Sequence, residues 1–161
     1  MSLKKKMVDV MMPQEFGVIS GLFHVAIFTL QEAIVELVGR EGFRDYIFPA
    51  IQEGIANVEK LGLKPIRGEN VEEVLSEFIN LLKKAMLVSS AQFERKDEDT
   101  YVFKLDGCFM AKSAHIIAAT KGICPMGMVA ASIIQKYSGR EVTVDWSKLT
   151  KRGSETEIKL L

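Results

Sequence analysis

The hydrophobic period of this chain changes near Leu87, and that change restricts the fold more than any single motif. Before it, apolar residues recur three or four positions apart, which is the spacing of amphipathic helices. After it, they alternate with polar residues, as they do in strands that have one buried face. The pattern predicts a single domain over residues 1–161, with a helical half at 14–86 and a mixed strand and helix half at 87–161.

The first helical segment, residues 14–38, is rich in apolar residues. Ile19, Phe23 and Leu30 belong to a stripe at helical spacing, and further apolar residues extend the stripe around much of the helix. A helix that is apolar on most of its circumference is covered on more than one side. We therefore expect a long buried helix, and a second subunit is one candidate for its cover.

The basic start at residues 4–6, followed by the uncharged run 16–31, resembles a secretory signal only superficially. Asp9 and Glu15 interrupt the approach to the run, and no cleavage site of small residues follows it. The run is also shorter than the roughly 20 residues that a membrane span needs. We expect a buried helix here and no membrane span.

Two more helices are predicted before the strands begin. A glycine-flanked break at residues 39–42 precedes the second helix, residues 43–61, which Pro49 is expected to bend or split. Asn70 followed by Glu73 is typical of a capped helix start and predicts where the third helix begins.

Two hairpins are predicted in the second half of the chain. A short amphipathic segment at residues 114–120 and an apolar helix from Pro125 separate them. The four predicted strands are residues 88–95, 101–105, 141–146 and 155–160. We therefore predict an α+β domain in which N-terminal helices pack on one face of a four-stranded antiparallel sheet.

Charge, cysteine content and missing motifs disfavour several classes of function. The 21 basic and 21 acidic residues cancel, which removes the field that would attract nucleic acid or an anionic membrane. Cys108 and Cys124 are the two cysteines, so a reducing cytoplasm is expected rather than a secreted disulfide scaffold. The sequence has no phosphate-binding glycine loop, dinucleotide fingerprint or nucleophile elbow, and it does not predict catalysis.

The C-terminal helix and its flanks say most about function. Cys124 and Pro125 precede a helix start, the apolar residues 128–134 fill the helix, and Gly139 stops it before a strand. In spacing and residue type this order resembles the C-terminal half of the 4-vinyl reductase domain family, small-molecule-binding domains also called hydrocarbon-binding proteins. The resemblance covers mainly residues 101–160.

The resemblance implies a ligand pocket beneath the helices. The family is similar in fold to the lipid-binding subunits of the TRAPP tethering complex and to the aromatic-effector-sensing domains of some bacterial activators. Aromatic residues and methionines suit an adaptable apolar pocket, although ordinary core packing explains the same residues without one. The residues predicted to contact an apolar, aromatic or lipid-like ligand are Phe23, His24, Phe28, Phe103, Phe109, His115, Cys124 and Met126.

The chain departs from the family in its metal ligands. Many members have two further cysteines in the final hairpin that help to hold zinc, whereas residues 145–157 contain no cysteine. The candidate zinc ligands Cys108, His115 and Cys124 would need a fourth partner, such as His24 or a carboxylate, to complete a structural site. We therefore predict no cofactor, with zinc as the alternative.

Three functions stay open on the sequence alone. The first is a non-catalytic, homodimeric domain that senses or carries an apolar small molecule. The second is a dimeric structural or adaptor module with a filled core, whose first helix is a protein interface. The third is a thiol- or zinc-dependent enzyme, because Cys124 lies at a helix N-terminus, where a thiol pKa is lowered, and His115 is a candidate base.

Overall fold

The protein is represented by a computed structural model that describes residues 14–62, 66–111 and 122–161, with side chains from residue 18 onward. The described residues contain the helices α1 (Gln14–Lys60), α2 (Val71–Lys84) and α3 (Pro125–Ser138). They also contain the strands β1 (Ser90–Arg95), β2 (Thr100–Asp106), β3 (Val142–Val144), β4 (Lys148–Leu149) and β5 (Ser154–Leu160). The α+β prediction is confirmed, while the segments predicted at residues 4–6 and 114–120 lie outside the described residues.

The strands form one antiparallel sheet in the order β1-β2-β5-β3, and β4 also pairs with β5. Phe93 of β1 is level with Phe103 of β2, which is in turn level with Thr156 of β5. Alternate residues of β5 are buried, as its hydrophobic period predicts. The first hairpin and the last strand therefore form close to their predicted positions.

The sheet has five strands where four are predicted, because a short extra strand forms between the two predicted strands of the last hairpin. The edge predicted at residues 141–146 becomes β3, and β4 follows as a separate short strand, so that the two pair with opposite ends of β5. Between them, the N–H of Ser147 donates to the carbonyl oxygen of Gly122 at 2.9 Å instead of to the sheet. A buried backbone group needs a partner, and the loop before α3 supplies it here.

α2 begins with the predicted cap. The side-chain oxygen of Asn70 accepts the N–H of Glu73 at 2.9 Å, and the Glu73 carboxylate accepts the N–H of Glu69 at 2.9 Å. These two bonds satisfy donors that a helix start would otherwise leave without partners. The buried face of α2 then follows at helical spacing and consists of Val71, Val74, Leu75, Phe78, Ile79 and Leu82.

The main core lies between α2, α3 and the sheet. Phe78 of α2 stacks on Phe103 of β2 with ring centroids 5.9 Å apart, and Ile134 of α3 belongs to the same apolar cluster. α1 packs on α3, and a second cluster around Phe43 and Met128 joins these two helices. α1 is thus attached mainly through α3.

α1 has a kink at Gly39, where the backbone angles φ 72° and ψ 176° are not helical. Glycine is essentially the only residue that adopts this region. The predicted break is confirmed at this position, whereas Pro49 lies inside α1 without splitting it. Beside the kink, Arg40 forms an ion pair with Asp145, and a hydrogen bond from Arg40 lowers the pKa of that carboxyl group. The kink is therefore tied to the connection between β3 and β4.

Replacing Gly39 by alanine tests whether this backbone conformation matters. Open space surrounds both Gly39 and Gly54 of α1, but only Gly39 has a positive φ. We expect Gly39→Ala to lower the free energy of unfolding by about 1–2 kcal/mol, because a Cβ is strained in that region. Gly54→Ala, the matched control, should raise it by up to about 1 kcal/mol, because alanine is the better helix former. Urea denaturation measures both, and equal effects would contradict the assignment of the kink.

Candidate functional site

The first half of α1 attaches to the domain by its more polar face. Ser20, His24 and Gln31 are buried there together with Phe28, at spacings that place all four on one side of the helix. The hydroxyl group of Ser20 donates to the carbonyl oxygen of Met110 at 2.7 Å, and His24 Nδ1 lies 2.9 Å from the carbonyl oxygen of Ser20. These buried polar groups have partners, as burial requires.

Gln31 binds the backbone of Ile123 at two points. Its Nε2 donates to the Ile123 carbonyl oxygen at 2.9 Å, and its Oε1 accepts the Ile123 N–H at 2.7 Å. The side-chain amide of Gln31 therefore pairs with both backbone groups of Ile123, as a neighbouring strand would, although Ile123 lies in a buried loop. Gly122 allows the loop to approach, because a Cβ at that position would overlap the ring of Phe28.

The same loop is held from its other side by the sheet. The N–H of Cys124 donates to Ser147 Oγ at 2.8 Å, and Ser147 Oγ lies 2.7 Å from Thr156 Oγ1. Gly127, in the first turn of α3, packs against Thr156 so closely that a Cβ would overlap its side chain. We call residues 122–124 the clamped segment, because α1 and the sheet both bind it.

The opposite face of α1 is an exposed apolar stripe, which we call the outer seam. It consists of Ile19, Phe23, Ala26, Leu30, Ala33 and Leu37, all of them exposed. Successive members are four, three, four, three and four residues apart, the heptad spacing of helices that pack along another helix. The exposed fractions are 51% for Ile19, 62% for Phe23, 61% for Leu30 and 83% for Leu37.

The expectation of a buried first helix is therefore wrong for this face of the monomer. Ile19, Phe23 and Leu30 point away from the domain, because Ser20 and Gln31 bind backbone groups on the other side. The signal for the seam is present in the sequence as alternating steps of three and four residues. Apolar spacing alone, however, does not reveal whether the same domain or another molecule covers a stripe.

The charges beside the outer seam are acidic. Glu36 flanks it, and residues 14–39 contain neither lysine nor arginine. By length and composition, Val18–Lys60 would suffice to cross a membrane, a test that soluble core helices also pass. A span would remove the buried partners of Ser20 and Gln31, and helices that lie on membranes usually have a basic polar face. These features favour protein over lipid as the cover.

The residues predicted to bind a ligand are divided among different layers. His24 and Phe28 are neighbours on the inner face of α1, with ring centroids 5.8 Å apart in an edge arrangement. Phe103 lies in the main core, whereas Phe23 lies on the outer seam. These four residues therefore do not line one common space.

The other four predicted residues lie near α3 or outside the described part. Cys124 is buried at the N-cap of α3, and Met126 in its first turn is partly buried, as is Phe109 after β2. His115 lies outside the described residues. The predicted pairing of Cys124 with His115, and any role of His115 with zinc, consequently stay predictions.

The two thiols lie near each other in the described structure. Burial raises the pKa of Cys108, and the neighbouring Cys124 adds to that shift. Both cysteines are free, and no group of three or more His, Cys, Asp or Glu side chains in the described ranges is arranged to hold a metal ion. A raised thiol pKa at Cys108 does not favour a reactive thiolate.

Two of the spaces among the described residues can be compared with a ligand, and neither of these two matches an apolar pocket of ligand size. One, lined in part by Phe43, Ile123 and Trp146, measures about 10 Å³, roughly the room that one water needs. The other is a cleft of about 290 Å³ at the surface, with polar residues such as Glu72 in its lining. There the hydroxyl group of Tyr101 donates to Glu72 at 2.5 Å, and burial together with that bond raises the pKa of Tyr101 to about 12.

Comparisons with known proteins assign no family. The chain matches no protein-family model, and no curated protein is significantly similar to it. The resemblance to the 4-vinyl reductase family accordingly stays a prediction.

The clamp by Gln31 predicts a pH-dependent loss of stability in Gln31→Glu. At pH 7 the introduced carboxylate cannot donate to the Ile123 carbonyl oxygen, and we expect the free energy of unfolding to fall by about 2–4 kcal/mol. Burial raises the pKa of that carboxyl group in the folded state above its unfolded value of about 4.3. The protonated form donates again, so the loss should shrink as pH falls toward the unfolded pKa and grow as pH rises through the folded pKa.

Denaturation of wild type and Gln31→Glu at several pH values measures this difference. The matched control is Gln92→Glu on an exposed position of β1, which should change stability little at any pH. A Gln31→Glu protein as stable as wild type at pH 7 would show that the clamp does not matter.

Proposed function

We propose that this protein is a non-catalytic assembly module that binds an apolar protein helix along the outer seam of α1. The observation that carries the proposal is the heptad spacing of six exposed apolar residues on a helix whose other face is fixed to the domain. Soluble monomers seldom expose contiguous apolar patches of more than a few hundred Å², and larger ones mark interaction sites. Burial of the seam by a partner supplies a hydrophobic driving force.

The extent of the seam suits a stable protein interface. From Ile19 to Leu37 it runs about 27 Å along the helix, at 1.5 Å per residue. With Val18 and Leu22 at its margin, its exposed surface is comparable to the roughly 800 Å² that each partner buries in a standard complex. Because association itself costs roughly 4–15 kcal/mol, a partner must cover most of this length to bind stably.

The packed interior supports an interface role as well. Phe48, Phe103 and Ile133 are among the fully buried side chains, and Gly122 and Gly127 leave no room for a methyl group. The domain thereby holds α1 as a rigid element, and binding surfaces on rigid elements lose little entropy when they bind.

Binding of a small apolar ligand is the second candidate function. It is favoured by the neighbouring His24 and Phe28 rings and by Met110, which Ser20 binds, because a few polar groups in an apolar setting are typical of ligand sites. Native mass spectrometry of gently purified protein tests it. An excess mass of a few hundred daltons over the denatured chain supports a ligand, and a mass equal to that of the chain alone, or of a whole number of chains, contradicts it.

Leu30→Glu is the variant that tests the assembly role. Leu30 is exposed in the monomer and central in the seam, so the substitution should weaken binding of a partner helix by roughly 30-fold or more while leaving the fold intact. Sedimentation velocity shows whether each protein forms a complex. Each protein is run alone and with a labelled synthetic helix that has leucine and alanine at heptad positions. Wild type should sediment as a complex with itself or with the probe, and Leu30→Glu as single chains.

Leu61→Glu is the matched control, because Leu61 is 87% exposed and lies just beyond the end of α1, away from the seam. It should behave like wild type. A wild-type protein that stays single-chained and leaves the probe unbound would contradict the assembly role.

A further inference from the structure

We propose that the helix covering the outer seam is α1 of a second copy of this chain, paired antiparallel about a two-fold axis level with Phe28. This inference rests on the proposed assembly role and names its partner. In a two-fold pair the same surface serves both subunits, so the seam must be complementary to itself. The sizes and charges of its residues decide how that is achieved.

Antiparallel pairing about Phe28 places the large residues Phe23 and Leu30 opposite small ones and pairs the two large residues at the ends of the seam with each other. Residues equally distant from the axis on opposite sides face each other across the pair. Phe23 then meets Ala33 of the second copy, Ala26 meets Leu30, and Ile19 meets Leu37. Alternation of large and small residues across facing positions lets two helices interdigitate at close-packed density.

Parallel pairing fits the same residues poorly. It would bring each residue level with its own copy, so that Phe23 meets Phe23 and Leu30 meets Leu30 in crowded layers. Ala26 and Ala33 would form layers between them that are too small to fill the space. Over residues 23–33, large and small seam residues alternate. Only the antiparallel register sets each of these large residues against a small one.

Glu36, which flanks the seam, does not oppose antiparallel pairing. In the antiparallel pair the two Glu36 residues are about 24 Å apart along the axis, at 1.5 Å per residue. That separation exceeds the screening length of about 10 Å at 0.1 M salt, so their repulsion is weak.

The inner face of α1 leaves the seam open to a second copy. Ser20, His24 and Gln31 bind or approach groups of the same domain on the side opposite the seam. Gly21 is buried and does not lie on the seam, so close glycine contacts are not the basis of this pairing. The pairing uses large side chains fitted against alanines instead.

Cysteine cross-linking between two different variants tests orientation and register together. Phe23→Cys and Ala33→Cys proteins are prepared separately, mixed, allowed to exchange subunits and oxidised; wild type, with Cys108 and Cys124, is the background control. We expect the mixture to form a disulfide-linked dimer that joins positions 23 and 33. Each variant alone should stay unlinked, because its two thiols would be about 15 Å apart along the axis.

The outcomes separate this inference from the assembly role. If each variant alone forms disulfide-linked dimers and the mixture does not link positions 23 and 33, the pair is parallel. This result would overturn the inference while leaving the assembly role in place. A wild-type protein that binds the synthetic helix but never pairs with itself would also overturn the inference and leave the assembly role in place. A single-chained protein that floats with phosphatidylcholine vesicles and leaves the synthetic helix unbound would assign the seam to a membrane, and would overturn both.

Discussion

The two hydrogen bonds between the side-chain amide of Gln31 and the backbone of Ile123 decide which face of α1 meets the domain. Rotating α1 by half a turn would bury Phe23 and Leu30 against the domain. It would also leave both buried backbone groups of Ile123 without partners, at about 1–3 kcal/mol for each. Burying the half-exposed Phe23 and Leu30 gains about 1 kcal/mol each, but the same rotation exposes the buried Phe28 and loses most of that gain, so the polar contacts decide the orientation.

The position of α1 follows from how the clamped segment is held. Ser147 binds this segment from the sheet side and in doing so leaves the sheet, which separates β3 from β4. Gly122 allows the ring of Phe28 to pack against it. One short loop thus joins α1, α3 and the sheet, and the outer seam is the face of α1 that these contacts leave uncovered. A regular apolar stripe on so firmly held a helix supports the proposal that it is an interface.

Local signals predicted the parts of the fold that local chemistry determines. The cap of α2 at Asn70, the start of α3 after Cys124 and the break at Gly39 all depend on residues near them in sequence, and all are found. The extra strand β4 was not predictable, because its separation from β3 depends on the contact of Ser147 with Gly122, which is distant in sequence.

The candidate site shows the same limit more sharply. Phe23 has the sequence character of a pocket residue and lies on the outside, while Gln31 reads as a polar interruption and is the anchor of the helix. Apolar residues are buried more often than polar ones, but whether a given one is covered, and by what, depends on tertiary contacts. The heptad steps of the outer seam were nevertheless visible in the sequence.

If α1 of a second copy covers the outer seam in solution, a thiol placed on the seam is shielded from reagents in water, and its labelling rate reports that shielding. Leu30→Cys and Leu61→Cys are treated with a soluble maleimide, and the modified positions are identified by peptide mass mapping. We expect much slower labelling at position 30 than at position 61 in concentrated protein, with the difference disappearing on dilution. Equal rates at both positions at every concentration would show that no second copy covers the seam.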